Sequence, residues 1–234
     1  ARVVKDACEA GINIIVSGAG LPTNLPEFTQ NFKEIALVPI VSSAKALKII
    51  CKRWLQRYER LPDAVVLEGP LSGGHQGFTY EQCLDPEFSL FNLIPQVKAE
   101  IKEWGDFPLI AAGGIWDKND IEKAISLGAN GVQMGTRFIG THECDADIGF
   151  KEVLLAAEEK DIELIKSPVG YPARGIRTNL INLVDKRMGP KIQCISNCVS
   201  PCQRGKGAKE VGYCIADRLF DSFSGKKETG LFFT

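Results

Sequence analysis

The chain has 234 residues, with 28 Lys and Arg against 29 Asp and Glu and a formal net charge of -1. Hydrophobic residues make up 44% and charged residues 24% of the sequence, a globular balance that excludes disordered and fibrous classes. A charge this close to zero gives no electrostatic reason to expect nucleic acid or an anionic membrane as a partner. No apolar run approaches the ~20 residues that a membrane-spanning helix needs.

Short apolar runs rich in β-branched residues recur along the first 140 residues, and each is followed within a few residues by Gly or Ser. They lie at 12–16, 36–41, 64–67, 108–112 and 131–134. The runs do not alternate apolar with polar residues, so both faces of each strand are expected to be buried. This pattern is typical of a parallel sheet covered by helices.

Helical patterns fill the gaps between these runs. Apolar residues step by three and four between 44 and 58 and again between 91 and 104, where Pro95 is expected in the first turn. A third helix is expected after a cap at Asp117 or Asn119. Alternating strands and helices predict βα units, either in an open doubly wound sheet or in a (β/α) barrel. No Gly-x-Gly-x-x-Gly motif opens a helix after the first run, where prolines favour a loop, so a barrel is favoured.

Two consecutive strand ends carry groups suited to phosphate. Gly113 and Gly114 follow the fourth run, and glycines let backbone N–H groups approach an oxyanion closely. Gly135 and Thr136 follow the fifth run and add a hydroxyl. The last two strands of a βα barrel usually bind phosphate, so the pair predicts a phosphate site. A tight turn is the alternative interpretation of either glycine segment alone.

One of the two histidines lies in a glycine-rich loop that follows a buried strand. His75 stands within Gly73-Gly74-His75-Gln76-Gly77, after the run at 64–67. Such a loop can pass close to a flat ligand, and an imidazole accepts a proton near neutral pH. His75 is therefore the candidate catalytic base, whereas His142 has no comparable surroundings and is expected at the surface.

These motifs, taken in order, resemble those of the nitronate monooxygenases, formerly called 2-nitropropane dioxygenases. The family also includes the flavin-dependent enoyl-acyl-carrier-protein reductases. The resemblance covers residues 1 to about 180 and rests on SGAGLP at 17–22, GGHQG at 73–77, AGGI at 112–115, MGTRF at 134–138 and GYPARG at 170–175.

The resemblance implies an α/β fold, a (β/α)8 TIM barrel of the FMN-binding type with an inserted helical lid. It further implies that His75 is the catalytic base and that glycines contact the cofactor. The implied FMN contacts are Gly18 and Gly74 near the flavin, and Gly113, Gly114, Gly135 and Thr136 at the phosphate.

The same resemblance divides the chain into three parts. Residues 1–140 would form a partial barrel with strands like the fourth to eighth, 141–190 a helical lid or insertion, and 191–234 a Cys-rich segment. The N-terminal strands of the family are missing, so we expect either a longer protein or another chain that supplies them. A homo-oligomer is a further expectation.

Eight cysteines are unevenly distributed. The four scattered ones, expected to be buried or half-buried thiols, are Cys8, Cys51, Cys83 and Cys144. The four that crowd near the end are Cys194, Cys198, Cys202 and Cys214. Four thiolates match Zn²⁺ or an iron–sulfur cluster by number, but the spacing matches neither Cys-x2-Cys zinc pairs nor the ferredoxin run. A metal site, reduced buried thiols and a switchable disulfide are all left open.

The sequence thus predicts a cytoplasmic, FMN-dependent oxidoreductase that acts on a small molecule, most simply a nitronate or nitroalkane oxidised with O2. The first residues lack an apolar secretory run, which favours that reducing compartment, and there clustered cysteines indicate metal or redox chemistry over structural disulfides. The first alternative is an NAD(P)H-dependent flavin enoyl-acyl-carrier-protein reductase. The second is a non-catalytic barrel that senses a ligand or a metal.

Overall fold

A computed structural model describes residues 2–194, 196, 198, 202 and 205–234. The chain separates into two compact units. The first comprises Ala1–Leu71 and Leu84–Met134, and the second comprises Ser72–Cys83 and Gly135–Thr234.

The strands of the described residues are short. In chain order they are β1 (Ile14–Ser17), β2 (Ala36–Val41), β3 (Val65–Glu68), β4 (Gly74–His75), β5 (Leu109–Ala112), β6 (Gly131–Gln133), β7 (Ile162–Lys166) and β8 (Pro172–Ile176). The helices are α1 (Arg2–Glu9), α2 (Ala44–Tyr58), α3 (Tyr80–Leu84), α4 (Leu90–Lys102), α5 (Lys118–Ser126), α6 (Thr136–Ile139), α7 (Ile148–Ala156), α8 (Asn179–Asp185), α9 (Lys206–Val211) and α10 (Ile215–Phe223).

The first unit contains a parallel sheet with strand order β1-β2-β3-β5-β6. All five apolar runs of the sequence form these strands, which confirms the predicted βα rhythm. Helix α4 packs on β3 and β5, and α2 packs on β2. Val38, Val66 and Ala112 of three neighbouring strands form a hydrophobic cluster on this sheet. The five strands do not close into a barrel within the described residues.

Local sequence explains where the helices of the first unit begin. The Ser43 hydroxyl accepts the N–H of Ala46 at the start of α2, and Asp117 forms a capping box with Asp120 at the start of α5. The expectation for Pro95 was wrong. Helix α4 begins at Leu90, so Pro95 lies in its second turn and removes one backbone hydrogen bond there.

The second unit contains an antiparallel sheet with strand order β4-β8-β7. Its core packs one side of this sheet against the helices that follow, and it consists of Ile165, Ala173, Leu180, Ile181, Tyr213 and Leu231. The segment 141–190, expected to be helical, contains β7 and β8 as well as two helices. Both strands contain charged residues and β8 begins at Pro172, so neither strand forms an apolar run from which it could be predicted. No helix among the described residues is long and apolar enough to cross a membrane.

Candidate functional site

The glycine-rich loop of the second unit is held as a short strand. Gly74 and His75 form β4 and pair with Arg174 and Ala173 of β8. Gln76 is buried, and its side-chain amide donates to the carbonyl oxygens of Ser72 at 2.6 Å and of Gly74 at 3.1 Å. These bonds fix the backbone on both sides of His75, so its imidazole projects from a rigid support.

The His75 imidazole has a hydrogen-bond partner far away in sequence. Its Nε2 lies 2.7 Å from the hydroxyl oxygen of the buried Ser167. The same hydroxyl oxygen accepts the backbone N–H of Val169 at 3.3 Å. The ring also packs edge-on against Phe233, with 5.5 Å between ring centroids. Burial of the side chain lowers the pKa of His75 below its ordinary value of 6.5, which favours the neutral imidazole.

Residues 233 and 234 bring two of the predicted motifs together within the second unit. The Thr234 hydroxyl lies 3.1 Å from the Thr136 hydroxyl oxygen. The Thr234 backbone also lies against Gly73, where an added Cβ would stand only 2.8 Å from the Thr234 carbonyl carbon. Because Phe233 contacts His75, the His75 loop and Thr136 meet around one short segment. No motif in the sequence indicates this role of Phe233 and Thr234, or the role of Ser167.

Gly135 begins α6 beside Thr136 and has open space around it. Its backbone φ is -118°, and no atom lies within 4 Å of the position that a Cβ would take. A phosphate oxygen could therefore approach this backbone without displacing protein atoms. Gly74, Gly135 and Thr136 thus all belong to the second unit, together with His75.

The first unit holds the other three predicted contacts at the carboxyl ends of its strands. Gly113 and Gly114 follow β5 with φ of +90° and +81°, a left-handed backbone that glycine adopts without strain. Because glycine has no Cβ, an anion can approach the backbone N–H groups of such residues closely. Gly18 follows β1, and an added Cβ would stand 3.0 Å from the Ile40 side chain.

Glu68 is a further candidate that the sequence analysis did not single out. It ends the central strand β3 in register with Ala112, and its side chain alternates onto the same face as Val66. The side chain is half-buried, and no hydrogen-bond or ion-pair partner to its carboxylate is found among the described residues. Burial raises the pKa of Glu68. A partly desolvated carboxylate at a strand end beside Gly113 is suited to accept a hydrogen bond from a bound ligand.

The four C-terminal cysteines do not form a metal centre in the described part of the chain. Cys202 and Cys214 are buried in an apolar cluster with Ala208, Cys198 packs against it, and Cys194 is exposed. No group of three or more His, Cys, Asp or Glu among the described residues could hold a metal ion. Zinc and iron–sulfur binding are therefore unsupported, since a closed thiolate shell needs its ligands to converge. As expected, Cys8, Cys51 and Cys83 are buried and Cys144 is half-buried.

Comparison with known proteins identifies the family of this chain. A family model described as nitronate monooxygenase matches residues 1–234. The chain belongs to the nitronate monooxygenase family. A probable nitronate monooxygenase of Bacillus subtilis (strain 168) is 39% identical over 118 residues, which are 50% of this chain and 33% of that protein.

Solved structures show the same fold. FabK from Thermotoga maritima superimposes with a TM-score of 0.73 and 26% identity, over 99% of this chain and 63% of that chain. A nitroalkane oxidase from Streptomyces ansochromogenes gives a TM-score of 0.67 and 18% identity, over 99% of this chain and 60% of that chain. These likenesses confirm the α/β fold of the barrel class. The chain spans about a third of the length of the curated relatives that it matches.

Proposed function

We propose that the protein to which this chain belongs is an FMN-dependent oxidoreductase that oxidises nitronates, and the nitroalkanes from which they form, with O2. The observation that carries the proposal is the His75–Ser167 pair, with a neutral imidazole held on a rigid glycine-rich strand. Family membership supports the same reaction class.

The residues at the strand ends fit FMN. Gly113 and Gly114 have backbone N–H groups that no Cβ shields, and Gly135 leaves space that any larger side chain would fill. As the family resemblance implies, we assign Gly113, Gly114, Gly135 and Thr136 to the FMN phosphate, and Gly18 and Gly74 to the flavin. When bound, FMN supplies the two-electron chemistry and the reaction with O2.

His75 acts on the proton at the α-carbon of a neutral nitroalkane. When its Nε2–H donates to the Ser167 hydroxyl oxygen, the lone pair on Nδ1 is available as a base. The C–H bond breaks, the proton goes to Nδ1, and the electron pair moves into the nitro group to give the nitronate anion. The imidazolium that forms then lies beside this anion and holds it by charge. In this tautomer Ser167 accepts the Nε2–H and orients the ring with Nδ1 as the basic nitrogen.

The second candidate is reduction of an enoyl thioester with NAD(P)H, which the family resemblance also implies. In that reaction His75 would not need to take a proton from the substrate. The third candidate, a non-catalytic ligand- or metal-sensing barrel, predicts a protein without flavin turnover.

Oxygen consumption by the full-length protein distinguishes these candidates. We expect O2 uptake with a nitronate and with its parent nitroalkane, without any nicotinamide. A matched variant, His142→Ala, changes the other histidine and should retain parent activity. Turnover only when NAD(P)H and an enoyl thioester are supplied would favour the reductase, and absence of bound flavin would contradict both enzymatic candidates.

A further inference from the structure

The turn between β7 and β8 contains Ser167, the hydrogen-bond partner of His75. The Gly170 N–H donates to the Ser167 carbonyl oxygen at 2.9 Å, and the Val169 N–H donates to the Ser167 hydroxyl oxygen at 3.3 Å. Both bonds join residues of the turn itself, so they fix its shape. The position of the turn relative to β4 depends on contacts with other segments.

Two residues of the C-terminal segment hold the positions on either side of Ser167. Before it, the Tyr213 hydroxyl donates to the carbonyl oxygen of Lys166 at 2.7 Å. Strand β7 lies at the edge of its sheet, where half of the backbone groups have no partner strand, and Tyr213 provides a partner for one of them. After it, Gly207 lies so close to Pro168 that an added Cβ would stand 2.0 Å from the Pro168 carbonyl oxygen.

Tyr213 is itself firmly placed. Its side chain is 1% exposed and packs in the core that includes Ile165 and Ile181. It lies between α9, which ends at Gly212 with a φ of +103°, and the start of α10. Burial raises the pKa of Tyr213, so its hydroxyl keeps its proton and remains a hydrogen-bond donor.

We propose that Tyr213 is a positioning residue that holds Ser167 within hydrogen-bond distance of the His75 imidazole. The Lys166 carbonyl and the Ser167 nitrogen belong to one planar peptide group, so fixing the carbonyl oxygen also fixes the plane from which Ser167 continues. Gly207 supports the turn from the other side. The effect on turnover rests on the proposed function, whereas the effect on the hydrogen bond between His75 and Ser167 does not.

Removal of the Tyr213 hydroxyl should weaken that hydrogen bond without changing either of its partners. In Tyr213→Phe the Lys166 carbonyl loses its donor and its peptide group can rotate, so the Ser167 hydroxyl leaves the reach of Nε2 more often. A hydrogen-bonded N–H exchanges with water only when the bond opens. We expect the His75 ring N–H to exchange about tenfold faster than in the parent, as for the loss of one hydrogen bond.

NMR of the full-length protein with isotope-labelled histidine measures this exchange, and His75→Ala identifies the signal. The matched control is Ile181→Val, a change in the same core. It removes one buried methyl group and should lower the melting temperature by the same few degrees as Tyr213→Phe, but it should leave the exchange rate unchanged. Gly207→Ala, whose methyl group would displace Pro168, should accelerate exchange as Tyr213→Phe does.

A double-mutant cycle on a neutral nitroalkane provides a second test. Tyr213→Phe alone should lower kcat several-fold, at most by the factor of about 10 expected for Ser167→Ala, with little change in KM. Added to Ser167→Ala, it should lower kcat no further, because the residue through which it acts is already removed.

Other results overturn the proposal. These are a His75 N–H that already exchanges too fast to observe in the parent, a parent exchange rate in Tyr213→Phe, or equal acceleration in Ile181→Val. A full further loss of kcat in the Ser167→Ala background would show that Tyr213 acts through another residue. If Tyr213→Phe does not fold, Gly207→Ala decides by the same criteria. Faster exchange in a protein that does not oxidise nitroalkanes would support the positioning role and contradict only the proposed function.

Discussion

Replacing Gly135 by Val tests the proposed phosphate site with little damage to the fold. Gly135 has a φ of -118°, which other residues adopt, and no atom lies within 4 Å of its Cβ position. The free energy of unfolding should therefore change by no more than about 0.5 kcal/mol, as for an ordinary surface substitution. FMN binding should change far more, because the added methyl groups occupy the space assigned to the phosphate.

The expected size follows from the hydrogen bonds that the phosphate would lose. A hydrogen bond to a charged group contributes about 1.5–3 kcal/mol, so loss of two raises the Kd for FMN by about 10²–10⁴. Fluorescence titration of the apoprotein measures this Kd, and thermal unfolding measures the fold. Riboflavin, which lacks the phosphate, is the matched ligand and should bind the variant and the parent alike.

Gly114→Ala provides a contrasting variant. Gly114 has a φ of +81°, and an added Cβ would stand 2.9 Å from the Leu71 side chain. This change should lower stability by about 1–2 kcal/mol through backbone strain alone.

A Gly135→Val protein that binds FMN with the parent Kd and unfolds at the parent temperature would refute the assignment of the phosphate site.

Other substitutions and titrations test the remaining parts of the account. His75→Ala should retain FMN but slow turnover of a neutral nitroalkane by about 100-fold or more, with a smaller effect on a preformed nitronate; equal rates on the neutral substrate would exclude a base. Because burial lowers the pKa of His75, kcat/KM for the nitroalkane should decline as pH falls, with the midpoint of the decline below the ordinary value of 6.5; a midpoint at or above 6.5 would contradict the desolvated imidazole. Ser167→Ala should lower kcat about 10-fold with little change in KM, since one orienting hydrogen bond is lost; an unchanged kcat would remove Ser167 from the mechanism. Burial alone would raise the pKa of Asp221, but hydrogen bonds from Lys226 and Thr229 and nearby cations lower this pKa overall. The free energy of unfolding in urea should therefore be constant above the ordinary pKa of an aspartate and should decline as pH falls through and below it. Asp221→Asn should not show this decline.

The parallel sheet of the first unit could be predicted because its strands are buried on both faces. Runs such as 36–41 and 64–67 contain almost only apolar residues, and each is short and bounded by turn residues. Helix α5 could also be predicted, because Asp117 is a residue that favours a helix start and the structure places it at the N-cap. Short stretches of sequence were thus sufficient to predict those elements whose burial or capping depends on neighbouring residues.

The second unit was harder to predict because its contacts join distant residues. Strand β7 is partly exposed and contains charged residues. Strand β8 is mostly buried but contains a proline, an arginine and a glycine, so neither strand has the apolar signal by which the first unit was recognised. Ser167 lies 92 positions from His75, and Thr234 lies 98 positions from Thr136. Each of these residues has a common side chain and no motif of its own. Their roles appear only when the antiparallel sheet brings the segments together.

Anaerobic reduction of the bound flavin tests the proposed function most directly. The full-length protein, purified with its cofactor, is mixed with a nitronate in the absence of O2 and of any nicotinamide while the flavin absorbance is followed. We expect a yellow protein whose flavin loses its visible absorbance on mixing and recovers it when O2 is admitted. A flavin that a nitronate leaves unchanged but NADPH reduces, or a protein that carries no flavin, would contradict it.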